Sequence, residues 1–226
     1  MVNWSIPRSH YNANDLNQET RERGAWMQFV RIVAFWGLVA CAACADEHTP
    51  LSFAVSGDEI TASGEIDSNS LDLFEDIIGD HPNAKTLVLR YIGGSVDDEA
   101  NMKFARVVRD MGMTTLVPSD GLVASGGTDL FLAGVDRVLE PGACVGVHSW
   151  AAEDFTATDL PRSDPEHDRY LSYYQDMQID TAFYWFTLQA APADGMHWMT
   201  TEEAGRYNVS TIQASSLGTQ TLCDDR

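Results

Sequence analysis

Three short apolar runs constrain the fold of this 226-residue chain more than any other feature of its sequence. They occupy residues 86–91, 122–124 and 144–147, and each ends at a glycine, serine or histidine. A helical pattern closed by Gly112 follows the first run, and a shorter one reaching Gly134 follows the second. Runs of this kind predict buried strands. Because they alternate with helices, the sequence predicts an α/β domain with a largely parallel sheet.

Further elements extend this pattern along the chain. The sequence predicts additional strands at 51–55, 59–66, 113–117 and 137–139, and a helix that starts at Ser70 and is capped by Gly79. The segment from Pro165 to about residue 189 is interpreted as one long helix, whose aromatic stripe is typical of a core or a subunit interface. Thr200 and Glu203 have the spacing of a capping box and predict a last short helix.

The amino end has the layout of an export signal. Residues 32–45 (IVAFWGLVACAACA) carry no charge, follow Arg31 and precede two acidic residues. This run is shorter than the about 20 residues that a spanning helix requires. Cys41 follows LVA as in the lipobox of bacterial lipoproteins, so we expect lipid on Cys41. There are two alternatives. Cleavage after ACA at 43–45 would give a soluble exported protein, and the segment could otherwise remain as an uncleaved or buried helix.

We therefore divide the chain into a signal segment, 1–45, and one globular domain, 46–226. The acidic residues before the signal are unusual, and Met27 is an alternative start to Met1. Two cysteines, Cys144 and Cys223, lie beyond the signal, and whether they pair is left open.

The charge and the metal-ligand spacing exclude several functions. Lys and Arg total 14 against 34 Asp and Glu, which gives a formal net charge of −20. A field of this sign repels phosphate backbones, so nucleic-acid binding is not expected. The His and Cys residues do not have the spacing of a metal site. We expect neither a metal nor a cofactor.

The candidate chemistry centres on Ser125 and His148. Ser125 lies at a predicted strand-to-helix junction, where free amides can hold the oxyanion of an acyl-transfer reaction. Gly126 follows it, and Gly93 with Gly94 forms a second turn rich in amides. His148 is the one histidine at the carboxyl end of a predicted core strand, where sites of α/β proteins collect. A capping serine and a packing histidine are the ordinary alternatives.

Four segments together resemble a known family. GGSV at 93–96, ASGG at 124–127, VGVH at 145–148 and WMTTEEA at 198–204 are similar in order and spacing to the Clp protease proteolytic subunit. ASGG also resembles signal peptide peptidase A, a relative in the crotonase-like superfamily. The resemblance covers roughly residues 64–208. It departs at Ile92, where the family usually has Pro, and at Gly126, where it has Met or a similar residue.

The resemblance implies a ββα spiral with a long handle-like helix, serine peptidase chemistry and a homo-oligomer. Both lysines precede Ser125, so the lysine base of signal peptide peptidase A does not fit. The Clp pattern implies that Ser125 attacks and that His148 is the base. With a two-residue shift in the alignment it also implies that Asp194 orients His148. An exposed loop position is the alternative for Asp194, and the competing aspartates are Asp168, Asp176 and Asp180.

The resemblance further places the oxyanion amides at Gly126 and at Gly94 or a neighbour, within a substrate-binding turn formed by Gly93, Gly94 and Ser95. The resulting hypothesis is a periplasmic, lipid-anchored serine peptidase that cleaves peptides or unfolded segments. The alternatives are a non-catalytic binding or scaffold protein with the same fold, and a crotonase-type acyl-CoA enzyme.

Overall fold

Eight strands form one mixed sheet in the computed structural model, which describes residues 49–212 and 215–226. The predicted signal and Cys41 lie outside these residues. The strands are β1 (Ser52–Ser56), β2 (Glu59–Ser63), β3 (Thr86–Ile92), β4 (Thr114–Val117), β5 (Leu122–Ala124), β6 (Asp136–Leu139), β7 (Cys144–Val147) and β8 (His197–Trp198).

The sheet is parallel except at its two edges. The antiparallel pairs are β1 with β2 and β7 with β8. Strands β2, β3, β5 and β7 lie side by side in that order, and β4 and β6 form a second parallel branch that starts at β3. Strand β3 pairs with β4 through its first three residues and with β5 through its last two, Tyr91 and Ile92. The carboxyl ends of β3, β5 and β7 therefore meet at one edge, and the predicted α/β class with a largely parallel sheet is confirmed.

Seven α-helices cover the sheet in the described part of the chain. Phe74 of the first helix and Phe104 of the second meet with ring centroids 4.9 Å apart and are fully buried. The helices are α1 (Ser70–Asp80), α2 (Asp98–Asp110), α3 (Gly126–Leu132), α4 (Asp168–Asp176), α5 (Thr181–Ala190), α6 (Thr201–Arg206) and α7 (Gln220–Asp224).

The predicted long handle-like helix is wrong, because the segment forms α4 and α5 with a break between them. Gln178 has a φ of +58°, which an α-helix cannot contain. Asp180 then starts α5, and its side chain accepts a hydrogen bond from the Ala182 amide at 2.8 Å. Buried aromatic side chains on both helices gave the sequence one continuous apolar pattern across this break.

Two of the three predicted helix caps are confirmed, and the third is wrong. Thr200 and Glu203 form the predicted capping box of α6. Gly112 follows α2 with a φ of +67°, as its predicted closing role requires. The predicted Gly79 cap is wrong, since α1 continues through Gly79 to Asp80 and is capped by His81.

A disulfide joins Cys144 of β7 to Cys223 of α7, which are 79 residues apart in the sequence. It answers the question that the sequence left open and fixes the carboxyl end of the chain to the central sheet. No helix within the described ranges has both the length and the apolar character needed to cross a membrane.

Candidate active site

The three parallel strands β3, β5 and β7 carry the predicted site residues at their carboxyl ends. Gly93 and Gly94 follow β3, Ser125 follows β5 and His148 follows β7. The Ser125 amide donates to the Gly146 carbonyl at 3.1 Å, which continues the pairing of β5 with β7. A Cβ atom built on Gly94 would lie 4.0 Å from Ser125 Oγ. The sheet therefore places the Gly94 turn directly beside the hydroxyl of Ser125.

Ser125 has an unusual backbone conformation. Its φ is +51° and its ψ is −126°. A non-glycine residue in such a region costs on the order of 1–3 kcal/mol and persists only where the surroundings enforce it. Here the Ser125 carbonyl accepts two hydrogen bonds, one from the Thr128 amide at 2.9 Å and one from the Asp129 amide at 3.2 Å. The chain thus turns sharply from strand to helix at this serine.

A cavity of about 180 Å³ opens beside this turn. Both Ser125 and His148 line it, so the structure brings the predicted nucleophile and the predicted base to one cavity. Aromatic side chains form much of the remaining wall, and they are Trp150, Tyr170, Tyr174 and Tyr184. Two carboxylates, those of Asp98 and Asp129, also line the cavity.

No carboxylate among residues 49–212 and 215–226 forms a hydrogen bond or an ion pair with His148. Its Nδ1 is buried and has no hydrogen-bond partner among the described residues, and no hydrogen bond joins its ring to Ser125 Oγ. Asp194 is exposed and is not among the residues that line the cavity. The predicted contact between Asp194 and His148 is therefore not present in this structure.

The competing aspartates do not reach His148 either. Asp176 pairs with Arg106 at 2.9 Å, and Asp180 caps α5. Asp168 begins α4 and, like Asp194, is not among the residues that line the cavity.

Asp129 was missed in the sequence, although it lies four residues after Ser125 on the same helical turn. Its Oδ1 accepts a hydrogen bond from the Tyr174 hydroxyl at 2.7 Å. Burial above all, with a smaller contribution from the charge of Asp98, raises the pKa of Asp129 to about 7 against the opposing effect of the Tyr174 hydrogen bond. Asp129 is partly buried and lines the cavity. The four-residue spacing from Ser125 is the signal that could have identified it.

Asp98 is the second carboxylate that sequence reasoning missed. Its Oδ1 accepts from Ser95 Oγ at 2.7 Å, and its Oδ2 accepts from the Tyr170 hydroxyl at 2.8 Å. Burial and the neighbouring Asp98 raise the pKa of Tyr170 well above its usual range, which keeps this hydroxyl protonated as a donor. Ser95, predicted in the substrate-binding turn, thus lies at the cavity and holds Asp98.

The far wall is fixed by a buried polar contact. The Tyr184 hydroxyl accepts a hydrogen bond from Trp150 Nε1 at 3.0 Å and meets His167 Nδ1 at 2.6 Å. His167 is fully buried, and its Nε2 has no hydrogen-bond partner in the described part of the chain. These contacts hold Trp150 and Tyr184 in place at the cavity.

The two glycine turns are arranged by close packing. A Cβ atom on Gly126 would lie 2.2 Å from Ser95 Oγ, so only glycine fits there. Asn101 Nδ2 donates to the Gly126 carbonyl at 2.8 Å and fixes the orientation of this peptide. The amides of Gly94 and Gly126 have no hydrogen-bond acceptor among the described residues. Gly126 lines the cavity, so its amide can donate to a ligand there, whereas Gly94 is not among the lining residues.

Groups of three or more His, Cys, Asp or Glu side chains that could hold a metal ion are absent from residues 49–212 and 215–226.

Comparisons with known proteins give structural similarities only. No protein-family model and no curated protein matches the sequence. The chain is similar to a membrane protease from Pyrococcus horikoshii that is specific for a stomatin homologue, at 17% identity and a TM-score of 0.45, over 71% of each chain. It is similar to a membrane-bound stomatin-specific protease variant with a substrate peptide, at 16% identity and a TM-score of 0.45, over 69% of this chain and 73% of that one.

A third similarity is to a protein described as an enoyl-CoA hydratase from Streptomyces coelicolor. The identity is 14% and the TM-score 0.44, over 84% of this chain and 74% of that one. Because the identities are low, the chemistry of the site has to be argued from its own residues.

Proposed function

We propose that this chain is a serine hydrolase of the Clp/crotonase-like superfamily that cleaves peptide bonds, with Ser125 as its nucleophile. The observation that carries the proposal is the strained turn at Ser125, which exposes the side chain to a cavity shared with His148. Strain of this kind is retained where a side chain must be presented precisely. The free amides beside Ser125 support the same chemistry.

In the proposed mechanism, Ser125 Oγ attacks the carbonyl carbon of the scissile bond while His148 takes the hydroxyl proton. The carbonyl oxygen becomes an oxyanion that accepts hydrogen bonds from the amides of Gly94 and Gly126. Collapse of this intermediate breaks the carbon–nitrogen bond, and His148 returns its proton to the leaving amine. Water then cleaves the acyl-enzyme by the same steps and regenerates Ser125. In structures without substrate, the hydrogen bond between nucleophile and base is often loose, and it tightens when substrate binds.

The role of Asp194 is a separate proposal. It requires the loop at 191–195 to carry the Asp194 carboxyl to His148 Nδ1, which has no hydrogen-bond partner in the part of the chain that the structure describes. If this happens, Asp194→Asn cuts the acylation rate by up to about 10⁴-fold, because the imidazole tautomer is no longer fixed. Acylation at the wild-type rate would instead indicate that Ser125 and His148 act as a pair.

Labelling with a fluorophosphonate tests the main proposal. We expect the wild-type protein to be labelled, Ser125→Ala to be unlabelled and His148→Ala to be labelled far more slowly. Ser68→Ala is the matched control, since Ser68 is exposed and outside the cavity. Absence of labelling in the folded wild-type protein would favour the non-catalytic alternative. The missing partner of His148 Nδ1 is the observation on which that alternative depends.

A crotonase-type acyl-CoA enzyme is the third candidate, and the carboxylates of Asp98 and Asp129 in the cavity favour it. Such an enzyme uses an oxyanion hole and acidic residues and does not need a nucleophilic serine. Turnover of acyl-CoA substrates that persists in Ser125→Ala would establish this alternative. The net charge of −20 opposes it, because it repels the phosphates of coenzyme A.

We also propose that the protein is exported to the periplasm, anchored by lipid on Cys41, and assembled as a homo-oligomer. The uncharged run at 32–45 supports export, and so does the disulfide, since disulfides persist mainly in oxidising compartments. Cys41→Ala should release the protein from membranes. An unmodified amino terminus at Asp46, found by intact mass, would indicate the soluble exported form. Sedimentation of the purified domain would give its subunit number.

A further inference from the structure

The two carboxylates in the cavity lack a cationic partner. Asp98 accepts hydrogen bonds from Ser95 and Tyr170, and Asp129 accepts one from Tyr174, so every donor is a neutral hydroxyl. No ion pair in the described part of the chain involves either carboxylate. Because hydroxyls satisfy the oxygens without neutralising the charge, the cavity retains an uncompensated negative potential.

The groups that face Asp129 in the cavity supply no positive side chain from the described lining. Asp98 faces it from α2, Tyr174 from α4 and Tyr184 from α5, and His148 lines the same cavity after β7. None of the lining residues is Lys or Arg. The raised pKa of Asp129 means that a proton compensates part of the charge near neutral pH. A cation that enters the cavity would replace this proton.

One arginine, Arg169, contacts the aromatic wall but does not line the cavity. The guanidinium carbon of Arg169 lies 4.9 Å from the centroid of the Tyr170 ring, and Arg169 lines a neighbouring groove instead. Its charge lowers the pKa of Tyr170 slightly against the larger effects of burial and Asp98. It therefore supports the aromatic wall without filling the cavity.

The size and the walls of the cavity suit one side chain. A volume of about 180 Å³ is below the roughly 300–1,000 Å³ of pockets for drug-sized ligands. Trp150, Tyr170, Tyr174 and Tyr184 line this space. The Tyr170 ring stacks against Trp150 with ring centroids 5.3 Å apart and against Tyr184 at 5.6 Å, so these rings form one apolar wall. The cavity therefore combines apolar walls for an aliphatic stem with carboxylates for a charged end.

We propose that the cavity beside Ser125 binds a lysine or arginine side chain of the substrate, adjacent to the bond that is cleaved, and that Asp129 determines this specificity. This inference rests on the proposed peptidase function, because Ser125 defines which bond is adjacent. The net charge of −20 acts in the same direction, since it attracts basic peptides.

Two peptidyl diphenyl phosphonates that differ only in lysine or norleucine at the reactive position test the proposal. Norleucine has the lysine stem without its amine. We expect the lysine reagent to inactivate the wild-type protein at least about tenfold faster, as a desolvated charge contact permits. In Asp129→Asn the lysine-to-norleucine ratio should fall to one or below. The matched control is Glu99→Gln, which removes an exposed carboxylate paired with Lys103 outside the cavity and should keep the wild-type ratio.

The outcomes separate this inference from the proposed function. If the fluorophosphonate labels Ser125 but the wild-type protein has a lysine-to-norleucine ratio of one or less, the proposed specificity is overturned. The proposed hydrolase function would still stand. A ratio lowered equally by Glu99→Gln and Asp129→Asn would assign the preference to the general field rather than to Asp129. Binding of n-pentylamine gives a readout independent of catalysis. It should raise the melting temperature of the wild-type protein more than 1-pentanol does, and equal shifts would contradict the proposal.

Discussion

Replacing Asp129 with Asn should stabilise the protein, and the gain should depend on pH. The pKa of the carboxyl is about 7 in the folded protein, against an ordinary value of 3.8. Between these values the folded state binds more protons than the unfolded chain does. The free energy of unfolding of the wild-type protein therefore falls as pH rises through this range. Asn does not titrate, and its side-chain oxygen can still accept the Tyr174 hydrogen bond.

The size of the effect follows from the difference between the two pKa values. A difference of about 3 units corresponds to on the order of 4 kcal/mol, at about 1.4 kcal/mol per unit. We expect Asp129→Asn and the wild type to be nearly equal in stability at pH 4. The advantage of the variant should grow through pH 5.5 and reach its full value at pH 8.

Urea denaturation at these pH values, without reductant so that the disulfide stays intact, measures the difference. Glu75→Gln is the control, because Glu75 is exposed on α1. Its stability should follow the wild type at every pH. A difference between Asp129→Asn and wild type that is constant with pH, or that favours the wild type at pH 8, would refute the reasoning. A constant difference would mean that folding does not shift the pKa of Asp129, and a wild-type advantage at pH 8 would mean that the folded protein stabilises the carboxylate anion.

Three further predictions concern packing, covalent structure and catalysis. A methyl carbon on Gly127 would lie 2.3 Å from a backbone oxygen of β3, whereas Gly79 has open space. In urea denaturation, Gly127→Ala should therefore lose about 1–3 kcal/mol or more, and Gly79→Ala should gain about 0.5–1 kcal/mol. Replacing Cys144 and Cys223 together by Ala should cost about 2–4 kcal/mol by the same assay, since the disulfide spans 79 residues. Gly94→Pro removes one proposed oxyanion donor and should lower peptidase turnover a hundredfold or more, and unchanged turnover in the folded variant would contradict the assignment.

The parts of the fold that the sequence predicts correctly are determined by neighbouring residues. The pattern TLVLRYI predicts β3 because its apolar side chains are buried, and Gly112 closes α2 because glycine readily adopts the required φ. Thr200 and Glu203 lie only three residues apart, so their reciprocal contacts are visible in the sequence. Such features need no knowledge of the tertiary structure.

The errors arise where tertiary packing decides the outcome. Aromatic residues continue from α4 into α5, and their burial gave no sign that Gln178 interrupts the helix. Strand β8 has two residues, His197 and Trp198, and exists because β7 provides an edge for pairing. A segment this short has no periodicity of its own to recognise.

The candidate site likewise contains residues that local sequence predicts and residues that only tertiary packing brings together. Ser125 and the Gly93–Gly94 turn could be located because each belongs to a strand followed directly by a helix or a turn, and parallel strands bring their carboxyl ends together. A carboxylate partner for His148 could not be located from the sequence, because an aspartate in a loop can be aligned with a family pattern without being placed in space. Asp98 and Asp129 reach the cavity from α2 and α3, and their tyrosine donors come from α4, about 45 to 72 residues away. Each carboxylate accepts one hydrogen bond from a tyrosine hydroxyl of α4, so this pairing with neutral donors is recognisable only once the helices are packed together. The proposed specificity therefore depends on features that the sequence does not show, whereas the turn that carries the proposed nucleophile Ser125 follows from local sequence.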